Sequence, residues 1–146
     1  STTNSHEGTS SKVGDILLPG STTTVGIDLA TASALMQADI LLGGDINIIR
    51  SKANQYNSVF LAYYLTEVRK NAIAERAQGT TIIHLYGRDL LDLEIALASL
   101  PEQTAMVAIL SDMDTEIASL EQKRDKTRLL KQGMMQELLT GRIRLV

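Results

Sequence analysis

Apolar positions in the last third of the chain recur at Met106, Leu110, Met113, Ile117 and Leu120, a 4-3-4-3 alternation that keeps one stripe on one side of a helix for about four turns. The stripe weakens where Arg124 and Thr127 fall at seam positions, then resumes with Leu130, Met134 and Leu138. Gly133 costs about 1 kcal/mol against Ala in a helix interior and adds to that weakness. The middle reads either as a polar register device or close-approach point, or as a plain exposed stretch. Pro101 and Glu102 suit a first helical turn, while Gly141 beyond Leu138 and Leu139, with Arg142 and Arg144 close by, suits a stop. The pattern predicts a helix over residues 101–140, roughly 60 Å long at about 1.5 Å per residue. Such a helix is longer than any compact domain this chain can form, and its stripe needs a partner.

Upstream the period changes. Residues 1–12 and 20–24 are rich in Ser, Thr and Gly and predict loops. Between them VGDILLP, residues 13–19, predicts a short strand ended by a turn at Pro19 and Gly20. Further strands are predicted at 25–29, 39–42 and 46–50, the last two separated by Gly43, Gly44 and Asp45. Asn57 can cap a helix over residues 58–78, with Phe60, Leu61, Tyr64, Leu65, Val68 and Ala72 on its inner side and Gly79 as its stop. A turn region, GTTIIHLYGRDLL, follows, and residues 93–97 predict a strand leading into the long helix. The expected fold is α+β: a partial, small mixed α/β domain over residues 1–100 with short strands and one packed helix, then the long helix and tail over 101–146.

Composition narrows the classes. With 146 residues, 44% hydrophobic and 21% charged, the chain fits one ordinary domain plus an extension. The absence of cysteine removes disulfides, thiolate zinc sites and a cysteine nucleophile, and fits a reducing cytoplasm. No apolar run approaches the roughly 18 residues that span a bilayer, and STTNSHEGTSS has no signal-peptide character, so a cytoplasmic protein without membrane contact is expected. A net charge of −3 argues against a generic nucleic-acid coat, so any DNA contact has to be local. Charge is also uneven. Residues 102–121 carry five acids and no bases, whereas 123–144 carry seven bases and two acids. Two accounts fit: complementing the helix macrodipole, or favouring an antiparallel partner that sets each acidic half beside a basic one.

Base readout needs bidentate donors or acceptors, and phosphate contacts need Lys, Arg, Ser, Thr or backbone N–H groups. Arg50, Ser51 and Lys52 form a small basic exit from a strand; Arg69, Lys70 and Arg76 lie on the outer side or end of the middle helix; Gln78, Thr80, Thr81, His84 and Arg88 follow it. Each also reads as a solvated surface group, and the cluster around 76–88 is the strongest candidate. Tyr56, Tyr63, Tyr64 and Tyr86 suit either base stacking or packing, with packing favoured for Tyr63 and Tyr64. Enzyme readings find no support. His6 and His84 lack metal-ligand spacing, Asp89, Asp92 and Glu94 read as a solvated loop, and LGGDIN has neither the lysine nor the glycine spacing of a phosphate loop. No catalytic or metal-binding residue is expected.

Five segments together resemble the specificity subunit of type I restriction-modification enzymes: VGDILL from Val13, NSVFLAYYL from Asn57, AQGTT from Ala77, LASLPEQTAMVAILSDMDTEI from Leu97, and LLKQGMMQELLTGRIRL from Leu129. The tail is the most telling of them. The resemblance implies a non-catalytic subunit whose target recognition domain reads one half of a bipartite site in double-stranded DNA. Its long helices would form an antiparallel coiled coil that acts as a ruler and docks methyltransferase subunits. S-adenosylmethionine would then belong to those partners, and ATP and Mg to the complex's motor and nuclease subunit, with no cofactor in this chain. A full subunit of that family has two recognition domains and two helical regions. Here one helix follows what resembles the later part of one domain, so a fragment or half of a split subunit is expected, with sequence missing upstream or a truncated gene product as its origin. Self-association as an antiparallel homodimer through residues 103–139 follows. The alternatives are a truncated subunit that keeps only coiled-coil assembly, and an unrelated coiled-coil adaptor.

Overall fold

The computed structural model describes residues 8–51 and 55–144. It forms two compact units, one up to Val107 and one from Ala108 onward. Its strands are β1 (Thr9–Ser10), β2 (Asp15–Pro19), β3 (Ser21–Thr22), β4 (Ser33–Leu35), β5 (Leu41–Leu42), β6 (Ile46–Ile49) and β7 (Ile83–His84). Its helices are α1 (Ser58–Tyr63), α2 (Lys70–Ala74) and α3 (Leu100–Leu139), so the fold is α+β.

Within the first unit β2 has a partner on both edges, in an antiparallel sheet of order β4-β2-β6. The strand alternates, and Ile16 and Leu18 are fully buried on one face. They pack with Leu29, Ala30, Leu61, Leu65, Ile73 and Leu85 into one small core. Each large aliphatic side chain there stabilises the fold by about 1.5–3 kcal/mol. Register follows from that burial, because a slip of one residue would turn Ile16 and Leu18 outward; it sets Leu17 opposite Ser33 in β4 and Ile48 in β6. Two smaller antiparallel pairs, β1 with β5 and β3 with β7, extend from this centre.

The middle helix is present but not continuous. Asn57 caps it as expected, its side-chain oxygen accepting from the N–H groups of Val59 at 3.0 Å and Phe60 at 3.2 Å. A π turn then occupies Tyr64–Val68, with the Arg69 N–H donating to the Tyr64 carbonyl, and the helix resumes as α2 only to Ala74. The wider turn rotates everything after it. Phe60, Leu61 and Leu65 are therefore buried as predicted, but Val68 is 63% exposed and the inward position expected at Ala72 is taken by Ile73, which is fully buried.

Two predicted strands are absent. Residues 25–29 form a 3-10 turn over Gly26–Ala30, because Thr24 bonds Asp28 through its side chain and the Thr22 hydroxyl accepts from the Thr24 N–H. These local side-chain bonds outcompete a ladder, and Gly26 lies against α2 near the Ala74 carbonyl. Residues 93–97 pack Leu93 and Ile95 on the core without pairing to any strand among the described residues. The strand predicted over 39–42 shrinks to Leu41–Leu42, since Asp39 turns the chain with φ +61°. In the other direction, β1 and β3 form within segments predicted as loops, and β4 and β7 form in segments likewise too short to show a period.

The start of α3 is built by its own side chains. Glu102 reaches back to Ser99 as in one half of a capping box, its carboxylate accepting from the Ser99 N–H at 2.9 Å and from the Ser99 hydroxyl at 2.7 Å. Those bonds hold the Glu102 carboxyl below its ordinary pKa. One residue on, Gln103 is completely buried. Its Oε1 accepts from the Asn57 N–H at 2.8 Å and its Nε2 donates to the Ala98 carbonyl at 2.7 Å, which ties the first turn of α3 to the cap of α1.

In the second unit the helix ends in a Schellman motif. Gly141 has φ +72°, its N–H donates to the Leu138 carbonyl at 3.2 Å, and the Arg142 N–H donates to the Glu137 carbonyl at 3.0 Å. The predicted stripe lies bare. Met106, Leu110, Met113, Ile117, Leu120, Leu130 and Met134 are all exposed, and Leu138 is half-buried. In the weak middle, Arg124 pairs with Asp125 at 2.9 Å and approaches Glu121 at 3.8 Å, so its charge is answered on its own helix.

Replacing Gln103 by Leu leaves the part-buried N–H of Asn57 and carbonyl of Ala98 without these partners, a cost of about 1 kcal/mol or more. Urea unfolding of Gln103→Leu is expected to show that loss, and an unchanged midpoint would mean that the clamp contributes nothing.

Candidate nucleic-acid interface

The structure sorts the candidate residues into two groups at opposite ends of β2, roughly 15 Å of strand apart. At the Asp15 end lies Arg50, which follows β6. Its guanidinium grips Asp15 with both prongs, Nε to Oδ1 at 2.7 Å and Nη2 to Oδ2 at 2.6 Å, and Nη2 also donates to the Ser10 carbonyl at 3.1 Å. Asp15 is 1% exposed and accepts a third bond from the Lys12 N–H at 2.7 Å. The Arg50 hydrogen bonds hold the Asp15 carboxyl below the usual carboxylate range despite its burial, and the same pairing raises Arg50. Arg50 therefore has a structural partner as well as an exposed edge. The Ser51 hydroxyl accepts from the Gln55 N–H at 3.4 Å, and Lys52 lies outside the described residues. Tyr56 reaches toward the same end; its hydroxyl is buried without a hydrogen-bond partner, and burial with the Asp15 charge pushes its pKa up.

At the Gly20 end the chain after α2 forms a tight corner. Gln78 and His84 exchange both backbone bonds, at 2.8 and 2.7 Å, closing a loop that carries Thr80 and Thr81 on its exposed tip. Gly79 makes the loop possible. Its φ is +132°, and a Cβ there would lie 2.0 Å from the Ile82 carbonyl oxygen. Leu85 locks the corner to the core: its side chain is buried, its N–H donates to the Gly20 carbonyl at 2.9 Å, and its carbonyl accepts from Asn47 Nδ2 at 2.8 Å.

Because Leu85 points inward, its neighbours point outward. The His84 ring stacks on Tyr86 with centroids 5.9 Å apart and planes 13° apart, and the Arg88 guanidinium lies 4.9 Å from the Tyr86 ring centre. Asp89 Oδ1 stands 3.6 Å from Arg88 Nε. Arg76, just before the corner, donates from Nη1 to the Ala72 carbonyl at 2.6 Å and so folds back on its own helix. The structure thus brings Gln78, Thr80, Thr81, His84 and Arg88 together, and leaves Arg50 and Ser51 apart from them.

Tyr86, one of the four tyrosines that suit stacking or packing, and Asp89 also belong to this corner, and the signal for Tyr86 is the alternation His84-Leu85-Tyr86. Asp89 is not a fully solvated loop acid, since its Oδ2 is buried without a hydrogen-bond partner among the described residues. Among the described residues no group of His, Asp and Glu is arranged to hold a metal ion, and no helix is long and apolar enough to cross a membrane.

A small α+β unit with short strands followed by a long helix is the architecture that the family resemblance implies. The family model of the type I restriction modification DNA specificity domain matches residues 1–128. The chain belongs to that family. It is also similar to the specificity subunit of the type I restriction enzyme MjaVIII from Methanocaldococcus jannaschii, at 27% identity over 107 residues, 70% of this chain and 25% of that protein. The chain spans about a quarter of the length of that relative.

The Asp15 pair gives a pH dependence. A carboxyl whose pKa is depressed by folding contributes stability that is complete above its unfolded pKa of about 4 and is lost as pH falls through the folded value. The stability difference between the wild-type chain and Asp15→Asn should be constant near neutrality and shrink below about pH 4. A difference that does not change with pH would show that the ionised pair carries no stability.

Proposed function

We propose that this chain is a non-catalytic DNA sequence-recognition subunit, or half of one, of a type I restriction-modification complex. It reads one half of a bipartite site in double-stranded DNA and uses α3 as spacer and docking element for methyltransferase subunits. The specificity-domain match over residues 1–128 is the observation that carries this reading. Chemistry supports it from the other side. The polar and aromatic side chains gathered between Gln78 and Arg88 suit contact with a duplex, while S-adenosylmethionine, ATP and Mg belong on this reading to partner subunits.

The uncovered stripe of α3 supports helix pairing. Burying side chains such as Leu110, Met113, Ile117 and Leu120 against a second helix removes apolar surface from water. The acidic and basic halves of α3 favour an antiparallel partner, either a second copy or a related helix. With two copies paired this way, each brings one recognition unit, and the DNA site is split and palindromic.

Adenine methylation mapped in cells that express this chain with its cognate methyltransferase subunit, against the methyltransferase alone, is expected to reveal a new split, palindromic motif. Absence of any new motif, with the chain bound to the methyltransferase, would instead leave assembly as its function. Placing Asp at both Leu110 and Ile117 is expected to convert a dimer to a monomer by mass in solution. A double variant that stays dimeric would put the seam elsewhere.

A further inference from the structure

We infer that Arg88, seated on Tyr86 and flanked by Asp89, is a guanine-reading residue of the recognition unit. The inference rests on the DNA-recognition reading above and adds to it which side chain reads and what base it prefers. The geometry begins with Leu85, whose side chain and both backbone polar groups are engaged by the body of the unit. A residue anchored in this way just after β7 fixes the outward residues on either side of it, and the 3-10 turn Gly87–Leu90 that follows carries Arg88 back over Tyr86. His84, Tyr86 and Arg88 form a continuous ladder of ring, ring and guanidinium, with Tyr86 44% exposed and the Arg88 side chain 75% exposed.

An unsupported surface arginine samples many rotamers, and ordering them opposes binding. Here the ring face of Tyr86 and the Asp89 carboxylate hold the fork before any ligand arrives. Asp89 approaches the Nε side, and among the described residues no hydrogen bond takes up Nη1 or Nη2. Two parallel donors therefore remain for one acceptor surface.

The charge around the fork selects among acceptors. Arg88 is the one Lys or Arg between residues 77 and 122, and Asp89, Asp92 and Glu94 follow it within six residues. A phosphate would meet repulsion from that acidic segment, above all from Asp89 beside the guanidinium. A base edge carries no net charge and meets less repulsion from that segment than a phosphate does. Guanine presents two adjacent acceptors, N7 and O6, on its major-groove edge, the pattern a guanidinium fork matches with two hydrogen bonds. Asp89 then acts as a positioning residue that keeps the fork turned outward, and Tyr86 as its seat.

The test is selection of bound duplexes from a pool of randomised sequence by the full chain, repeated with Arg88→Ala, Arg88→Lys, Tyr86→Phe and Tyr86→Leu, each checked for an unchanged melting transition. The wild type should enrich a motif with guanine at one position of each half-site. Arg88→Ala should lose the preference at that position alone, by roughly 5- to 150-fold, with the rest of the motif kept. Arg88→Lys keeps the charge without the planar fork and should lose most of the preference. Tyr86→Phe should retain it and Tyr86→Leu should weaken it. If Arg88→Ala weakens all sequences equally and Arg88→Lys restores binding, Arg88 is a phosphate contact and the inference is wrong while DNA recognition stands. An unchanged motif in Arg88→Ala overturns it likewise. A wild-type chain that enriches no sequence defeats the DNA-recognition reading itself, and this inference with it.

Discussion

Burial of Ile16 and Leu18 beneath α1 and the π turn is the constraint to which the other features of the first unit are referred. Hydrophobic burial has no direction of its own, so the unit converts it into positions through a few polar bonds at the edge of the core. Arg50 closes on Asp15 at one end of β2, Asn47 holds the Leu85 carbonyl near the other, and Gln103 joins the cap of α1 to the start of α3. Each bond joins segments distant in sequence, and each places a surface feature. Without the core these bonds would compete directly with water and be worth little.

The same economy explains why a chain of net charge −3 is compatible with a DNA-reading role. Extended basic faces give affinity without sequence preference. A corner with one arginine, one histidine, two threonines and a stacked tyrosine has little general attraction for phosphate and depends on a precise fit. On the proposed reading, what such a corner contributes is discrimination.

What the sequence made legible follows from the length of each pattern. The α3 boundaries were readable because heptad spacing, Pro101, Glu102 and Gly141 agree over 40 residues, and the observed helix Leu100–Leu139 differs by one residue at each end. Asn57 was likewise readable as a cap. The π turn was not, because one wider turn leaves no mark in composition and appears only as the shift of burial from Ala72 to Ile73. Strands of two or three residues, such as β7, are too short to show alternation, and their pairing depends on segments more than 60 residues away, as Ser21 opposite His84 illustrates. The Asp15 pair and the Gln103 clamp were hidden for the same reason: partners 35 and 46 residues apart leave no local signature. Clustering of Gln78, Thr80, Thr81, His84 and Arg88 was legible because they are close in sequence, whereas grouping Arg50 with them required the fold.

On the proposed function, the corner from Gln78 to Arg88, fixed by Leu85, is the surface that meets DNA. Amide hydrogen exchange of the full chain, with and without a duplex bearing its selected sequence, tests this most directly. The account predicts added protection concentrated in residues 78–90, with α3 unaffected by DNA in a chain already paired through its helix. Protection confined to α3, or to the Asp15 and Arg50 end of β2, would contradict it.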